Sequence, residues 1–138
     1  MKRILVVALF LGCAFTAFAG GYNYVEQEQF RQWLDKGKDM AIVDIQVPAE
    51  FKQHHFKGSM GTGAYPVKSA ADKQKLDAIL PALAAARNDV VIICPRGGGG
   101  AKSTYDYLKE KGIDAGRIFI LEEGMQGWPY KGLTVAGK

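Results

Sequence analysis

The chain of 138 residues carries 18 Lys plus Arg against 14 Asp plus Glu and is 48% hydrophobic. That composition suits one compact domain and excludes disorder and collagen-like repeats. So even a charge balance argues against a nucleic-acid partner. Met1-Lys2-Arg3, the apolar run Ile4 to Phe18 and the small-residue pattern Ala17-Phe18-Ala19 predict an export signal cleaved after Ala19. About 15 apolar residues fall short of a membrane span, so the expected product is a domain over residues 20–138 with no membrane contact, periplasmic or secreted. Loss of Lys2 and Arg3 lowers the basic count from 18 to 16 against 14 acidic groups, a net of +2. A lipoprotein signal competes, because Cys13 follows Gly12 as an acylated cysteine would, but Phe10 and Leu11 fit that signal poorly.

Beyond the signal, Tyr22 to Val25 is aromatic and β-branched enough for a first strand. Glu26 to Lys36 places Phe30, Trp33 and Leu34 at helical spacing, and Gly37 ends that helix. Met40 to Ile45 is a near-continuous apolar run containing Asp44, the pattern of a strand covered on both faces, and Pro48 opens a short helix through Phe51. Ser59 to Pro66 reads as a loop with at most a short strand around Ala64 to Val67. Ala70 to Arg87 is rich in Ala and Leu and reads as helical; Pro81 within it means either a kink or two helices meeting, with Pro81 in the first turn of the second. Val90 to Ile93 are four consecutive β-branched residues, and the strand Asp89 to Ile93 is expected at the centre of the sheet. A helix from about Ala101 to Lys111, stopped by Gly112, and a last strand from Arg117 to Leu121 complete the chain. Strands alternating with helices at this spacing predict an α/β domain with a central, mainly parallel sheet flanked by helices on both faces.

Cleavage after Ala19 leaves Cys94 as the one cysteine, in a compartment where structural cysteines normally pair. A buried apolar cysteine at a strand end is one reading. Its neighbours favour another. Ligand sites of open parallel sheets lie beyond the carboxyl ends of the strands, and there Cys94 is followed by Pro95-Arg96-Gly97-Gly98-Gly99-Gly100 and a helix start at Ala101. Four glycines let successive N–H groups curl inward, and the helix amino terminus adds partial positive charge. The predicted result is an anion cradle around a nucleophilic sulfur, with Arg96 and Lys102 as nearby cations. Pro95 has no N–H, so the donors run from Arg96 onward.

These features, together with three further segments, resemble the rhodanese (sulfurtransferase) family over nearly all of the chain after the signal. Asp44-Ile45-Gln46 with Glu50-Phe51 resembles the family's Asp-Val-Arg and following Glu-Phe. His55-Phe56-Lys57-Gly58-Ser59 resembles its His-Ile-Pro-Gly-Ala, and Gly124-Met125-Gln126-Gly127-Trp128 resembles its Gly-Met-x-x-Trp. With its export signal and single domain, the chain resembles the periplasmic single-domain rhodaneses of the phage-shock type. The resemblance implies that Cys94 takes a sulfane sulfur from an anion such as thiosulfate or a polysulfide. It then holds that sulfur as a persulfide and passes it to a thiol, a redox protein or a cyanide-like acceptor, without a metal or organic cofactor. It further implies substrate binding by Arg96, Gly97, Gly98, Gly99, Gly100, Ala101 and Lys102, with Asp44, His55 and Trp128 in support. The chain departs from the family pattern at Gly99, where Arg or Lys is usual five residues after the cysteine, and at Gln46, where Arg is common.

Other chemistries fit less well. A phosphate-binding P-loop needs Gly where Arg96 and Ala101 stand. A cysteine phosphatase or arsenate reductase needs Arg where Gly99 stands. His54 and His55 are adjacent, and in an extended segment such side chains point to opposite faces and cannot share a metal ion; His55 reads as a brace. Trp128 reads as core or as a wall of the pocket, and Asp44 as a solvated carboxylate or one that orients the active loop. From another class, a rhodanese-like module could carry sulfur or bind an anion without turnover.

Overall fold

A computed structural model describes residues 21–137; the expected export signal and Cys13 lie outside the described residues. Five strands form one sheet in the order β1-β5-β4-β2-β3, every neighbouring pair parallel. They are β1 (Tyr24–Val25), β2 (Met40–Asp44), β3 (Met60–Gly61), β4 (Asp89–Ile93) and β5 (Ile118–Leu121). The helices are α1 (Gln27–Asp35), α2 (Pro48–Gln53), α3 (Ala70–Asp77), α4 (Leu80–Ala86) and α5 (Gly99–Glu110). This is the expected α/β architecture, with β4 central between β2 and β5.

The β-branched run of β4 explains why it sits there. Val90, Val91, Ile92 and Ile93 are all fully buried, which an alternating strand can achieve only with both sheet faces covered. Val90, Ile92 and Cys94 pack with Leu76, Leu83, Ala101, Tyr105 and Leu108 on the face covered by α3, α4 and α5. Val91 and Ile93 pack with Phe30, Phe56 and Trp128 on the face of α1. Pro81 starts the second of two helices rather than kinking one, and α3 opens with a Ser69–Asp72 capping box.

Most elements fall within two residues of the sequence expectation, and two of the differences bear on the site. The short strand after α2 falls at Met60–Gly61, paired with Val43 and Asp44, and not around Ala64 to Val67. That later stretch turns back on itself, the Val67 N–H donating to the Ala64 carbonyl at 2.9 Å, which buries Val67 in the core. Helix α5 begins at Gly99 and not at Ala101, so Gly99 and Gly100 belong to its first turn. Glycine is a poor helix former, yet tertiary packing demands it at Gly100: a Cβ there would lie 2.9 Å from the Tyr65 ring and 3.2 Å from Ile45 Cδ1.

Candidate active site

Cys94 is the first residue beyond the central strand and is 1% exposed. The Gly97 N–H donates to its Sγ at 2.7 Å. To reach that geometry the chain turns through Gly97 at φ +72°, with 2.9 Å left between a notional Cβ and the Glu123 nitrogen, so only glycine fits. The N–H groups of Arg96, Gly98, Gly99, Gly100 and Ala101 find no protein acceptor among the described residues. The last three are the orphan donors expected in the first turn of a helix, and Gly100 and Ala101 are buried. Unpartnered N–H groups at the amino terminus of a 12-residue helix are the arrangement that can hold an anion.

The back of this loop is held by the turn after β5. The Met125 N–H donates to the Cys94 carbonyl at 2.8 Å and the Gln126 N–H to the Pro95 carbonyl at 2.9 Å. Close approach at this seam requires Gly124, at φ +61°, where a Cβ would stand 2.2 Å from the Cys94 oxygen. Lys131, further along, donates from Nζ to the carbonyls of Met125 (2.5 Å) and Trp128 (2.7 Å). Burial pulls the Lys131 pKa below the usual lysine value. Trp128 itself is core: 1% exposed, edge-on to Phe30 and Phe56, with Nε1 donating to the Tyr130 carbonyl at 2.9 Å. It supports the loop by anchoring the turn and does not wall the anion site.

Asp44 is fully buried at the end of β2, beside Ile93 in the parallel register. Its carboxylate accepts from the Gln46 backbone N–H (2.8 Å) and from Gln46 Nε2 (2.9 Å), and that same Nε2 also donates to the His54 carbonyl at 3.0 Å. The alternative of a solvated carboxylate is therefore overturned. Asp44 braces the entry to α2 and makes no side-chain hydrogen bond to the Cys94 loop. Its pKa is pushed up to about 6: desolvation dominates, the Gln46 hydrogen bonds and the charge of His55 oppose it, and Glu50 adds to it. An arginine in place of Gln46 would neutralise this carboxylate; the amide only solvates it.

His55 is buried, stacked on Phe51 at 4.0 Å, with Nδ1 2.8 Å from the Phe51 carbonyl and its backbone bridged to Val135. That is a brace. His54 turns to a different partner, the Thr134 hydroxyl at 3.0 Å.

The two expected cations part company. Arg96 is exposed at the loop, with Nη2 3.4 Å from the Tyr65 hydroxyl, and forms no ion pair among the described residues. Lys102 is exposed and leans to the sheet edge, its Nζ 5.8 Å from the ring centre of Tyr22, just before edge strand β1. Its ammonium is therefore engaged at the sheet edge and not with the Cys94 loop. Gly98 and Gly99 have open space where a Cβ would be. Tyr65, absent from the sequence-based set, flanks the cradle, its ring over Gly100 and its hydroxyl near Arg96. Nothing in its loop segment marks it; only the packing of that loop against α5 does.

Against known families, residues 26–130 match the rhodanese-like domain. Among solved structures, the chain is similar to a rhodanese-related protein from Thermoplasma volcanium (19% identity, TM-score 0.56, covering 84% of this chain and 100% of that one). A rhodanese-like domain protein from Staphylococcus aureus is similar too (21%, TM-score 0.57, 84% and 99%). So is the As–Sb reductase from Leishmania major (16%, TM-score 0.60, 78% and 76%). At these identities the likeness is one of fold. No curated protein matches the chain significantly.

Proposed function

Because this chain belongs to the rhodanese-like domain family, we propose that it is a sulfurtransferase that carries sulfane sulfur on Cys94. The observation that supports this reading is the Cys94 Sγ held by the Gly97 N–H at 2.7 Å in a loop whose other N–H groups, from Arg96 to Ala101, have no protein acceptor. In the first step Sγ attacks the outer sulfur of thiosulfate or of a polysulfide. The new S–S bond forms as the old one breaks, and sulfite or the shortened polysulfide leaves with the electron pair. The terminal sulfur of the persulfide is then the anion the cradle was built for, held in place by donors that need no rearrangement. A thiolate or cyanide acceptor attacks that terminal sulfur, and Cys94 departs as thiolate. No net oxidant or reductant is consumed.

The cradle's donors are neutral amides plus the exposed Arg96, with open space at Gly99. A site so built lacks the bidentate arginine contacts that matter for the phosphate or arsenate of a phosphatase or arsenate reductase, whereas attack on a sulfane sulfur needs only that the anion be held by its edge. The export signal read in the sequence places this activity, in the same proposal, outside the cytoplasm. Amino-terminal sequencing from the native host, expected to begin at Gly20, tests that part; a lipid-modified Cys13 overturns it.

Mass spectrometry of the purified chain after incubation with thiosulfate or polysulfide tests the chemistry. The expected result is a gain of one sulfur atom on Cys94, removed by a thiol or cyanide and absent in Cys94→Ser. A chain that gains no sulfur from either donor is not a sulfurtransferase. One that gains sulfur and never gives it up is a carrier without turnover.

A further inference from the structure

The Cys94 loop is flanked on two sides by segments far from it in the chain. The turn after β5 holds its back, from the β5 side of the central strand. On the other side of β4 lie β2 and β3, and from there comes Tyr65, its N–H donating to the Ile45 carbonyl at 2.9 Å. The Tyr65 ring touches both ends of the loop. Its Cδ2 and Cε2 lie 2.9 and 3.1 Å from where a Gly100 Cβ would be, and its hydroxyl, two bonds beyond Cε2, is 3.4 Å from Arg96 Nη2. One side chain therefore spans the stretch from residue 96 to residue 100, whose N–H groups other than that of Gly97 have no protein acceptor.

Arginine has no acceptor, so the phenol oxygen accepts from Arg96 and its own hydrogen stays uncommitted. The Tyr65 hydroxyl has no other hydrogen-bond partner, and Arg96 no carboxylate, among the described residues. Tyr65 is half-buried and Arg96 exposed. An O–H and a guanidinium side by side, with no acidic partner, complement an oxyanion. The geometry of the reaction brings one there. For thiosulfate aligned for attack, the reacting sulfurs are about 3.5 Å apart and the S–S bond that breaks is about 2 Å long. The sulfonate oxygens then stand roughly 6 Å from Sγ, at the rim of the loop and not at its floor.

We propose that Tyr65 selects the sulfur donor: its O–H, beside the Arg96 guanidinium, holds the sulfonate end of thiosulfate and favours a donor bearing an oxyanion over a polysulfide. As Sγ bonds to the outer sulfur, the old S–S bond breaks and its electron pair leaves with sulfite, so charge grows on the oxygens that Tyr65 and Arg96 hold. A polysulfide presents only sulfur there, a weak acceptor. The reverse step uses the same contact. Sulfite attacks the terminal sulfur of the Cys94 persulfide, Cys94 leaves as thiolate, and thiosulfate is the product; cyanide, which has no oxygen, makes no use of the contact. This inference rests on the sulfurtransferase reading.

Tyr65→Phe removes the hydroxyl and keeps the ring on Gly100. Mass spectrometry times the loading of Cys94 by thiosulfate and by polysulfide, each below saturation, and the discharge of polysulfide-loaded protein by sulfite and by cyanide. In Tyr65→Phe the thiosulfate-to-polysulfide rate ratio should fall about fivefold, the effect of one lost hydrogen bond. The sulfite-to-cyanide ratio should fall by the same factor, because loading from thiosulfate and discharge to sulfite pass through one transition state. Each readout is a ratio within one variant, so a general loss of activity or stability does not imitate it. Arg96→Ala should lower both ratios as well. Ratios within twofold of the parent in folded Tyr65→Phe overturn the inference, and unmoved ratios in Arg96→Ala overturn the shared contact even if Tyr65→Phe misfolds. An unaltered protein that loads from polysulfide and not from thiosulfate overturns the inference and leaves the sulfurtransferase reading standing. One that loads from neither overturns that reading itself.

Discussion

Gly124→Ala probes how tightly the turn after β5 supports the Cys94 loop. The added Cβ would stand 2.2 Å from the Cys94 carbonyl oxygen and 2.6 Å from both the Arg96 nitrogen and the Pro95 carbonyl carbon. These are backbone atoms, so no rotamer change relieves the overlap and the loop must retreat by roughly 1 Å to restore normal contact. Alanine at φ +61° adds a left-handed penalty of about 1–2 kcal/mol. The retreat weakens two hydrogen bonds, from Met125 to Cys94 and from Gln126 to Pro95, each contributing about 1 kcal/mol. The expected loss is roughly 3–4 kcal/mol, which a typical domain survives, with a melting temperature lower by roughly 10–20 °C. Because the displaced atoms carry the nucleophile, sulfur loading at a temperature where the variant is still folded should slow by about 10²-fold. Thermal melts and timed mass spectrometry read the two effects. Gly132→Ala, at an ordinary φ with nothing near its Cβ, is the control and should alter neither. A Gly124→Ala protein that melts within a few degrees of its parent and loads sulfur at the parental rate would refute the view that this seam holds the cradle.

Three more outcomes are expected. Arg96→Ala should raise the dissociation constant for thiosulfate about fivefold, the modest effect of an exposed charge, while Lys102→Ala, whose ammonium sits over Tyr22, leaves it unchanged; titration of the Cys94→Ser forms of both variants checks this, and the reverse order would mean that the cation comes from the helix and not the loop. Gly99→Arg places a cation in open space at the start of α5 and should tighten thiosulfate binding by several-fold in the same titration; weaker binding would show that the space is needed by the donor itself. Asp44 binds its proton more tightly folded than unfolded, since burial raises its pKa from 3.8 to about 6. Its stabilising contribution is therefore complete below about pH 4 and is lost as pH rises through 6, a span on the order of 3 kcal/mol. Urea unfolding between pH 4 and 7.5 should show the parent losing stability relative to Asp44→Asn by about that amount, and parallel curves would refute the assignment.

Much of this molecule was legible in the linear sequence. Four β-branched residues in a row at Val90 to Ile93 require burial on both faces, and in an alternating α/β chain only a central strand offers that. The cysteine that follows, the glycine run and the helix start specify a cradle through local backbone chemistry alone, so Cys94, Arg96 and the glycine N–H groups can be read from the sequence. What the sequence could not decide depends on contacts between segments far apart in the chain. Tyr65 packs its ring where a Cβ on Gly100 would be, in the first turn of α5, and Lys102 turns to Tyr22 at the sheet edge. Trp128 lies in the core because Phe30 and Phe56 meet there. Asp44 is buried because the strands on both sides close over the end of β2. Hydrophobic period and turn chemistry act over a few residues and are written in order along the chain; the direction of a side chain and the desolvation of a charge are set by neighbours that only the folded sheet brings together.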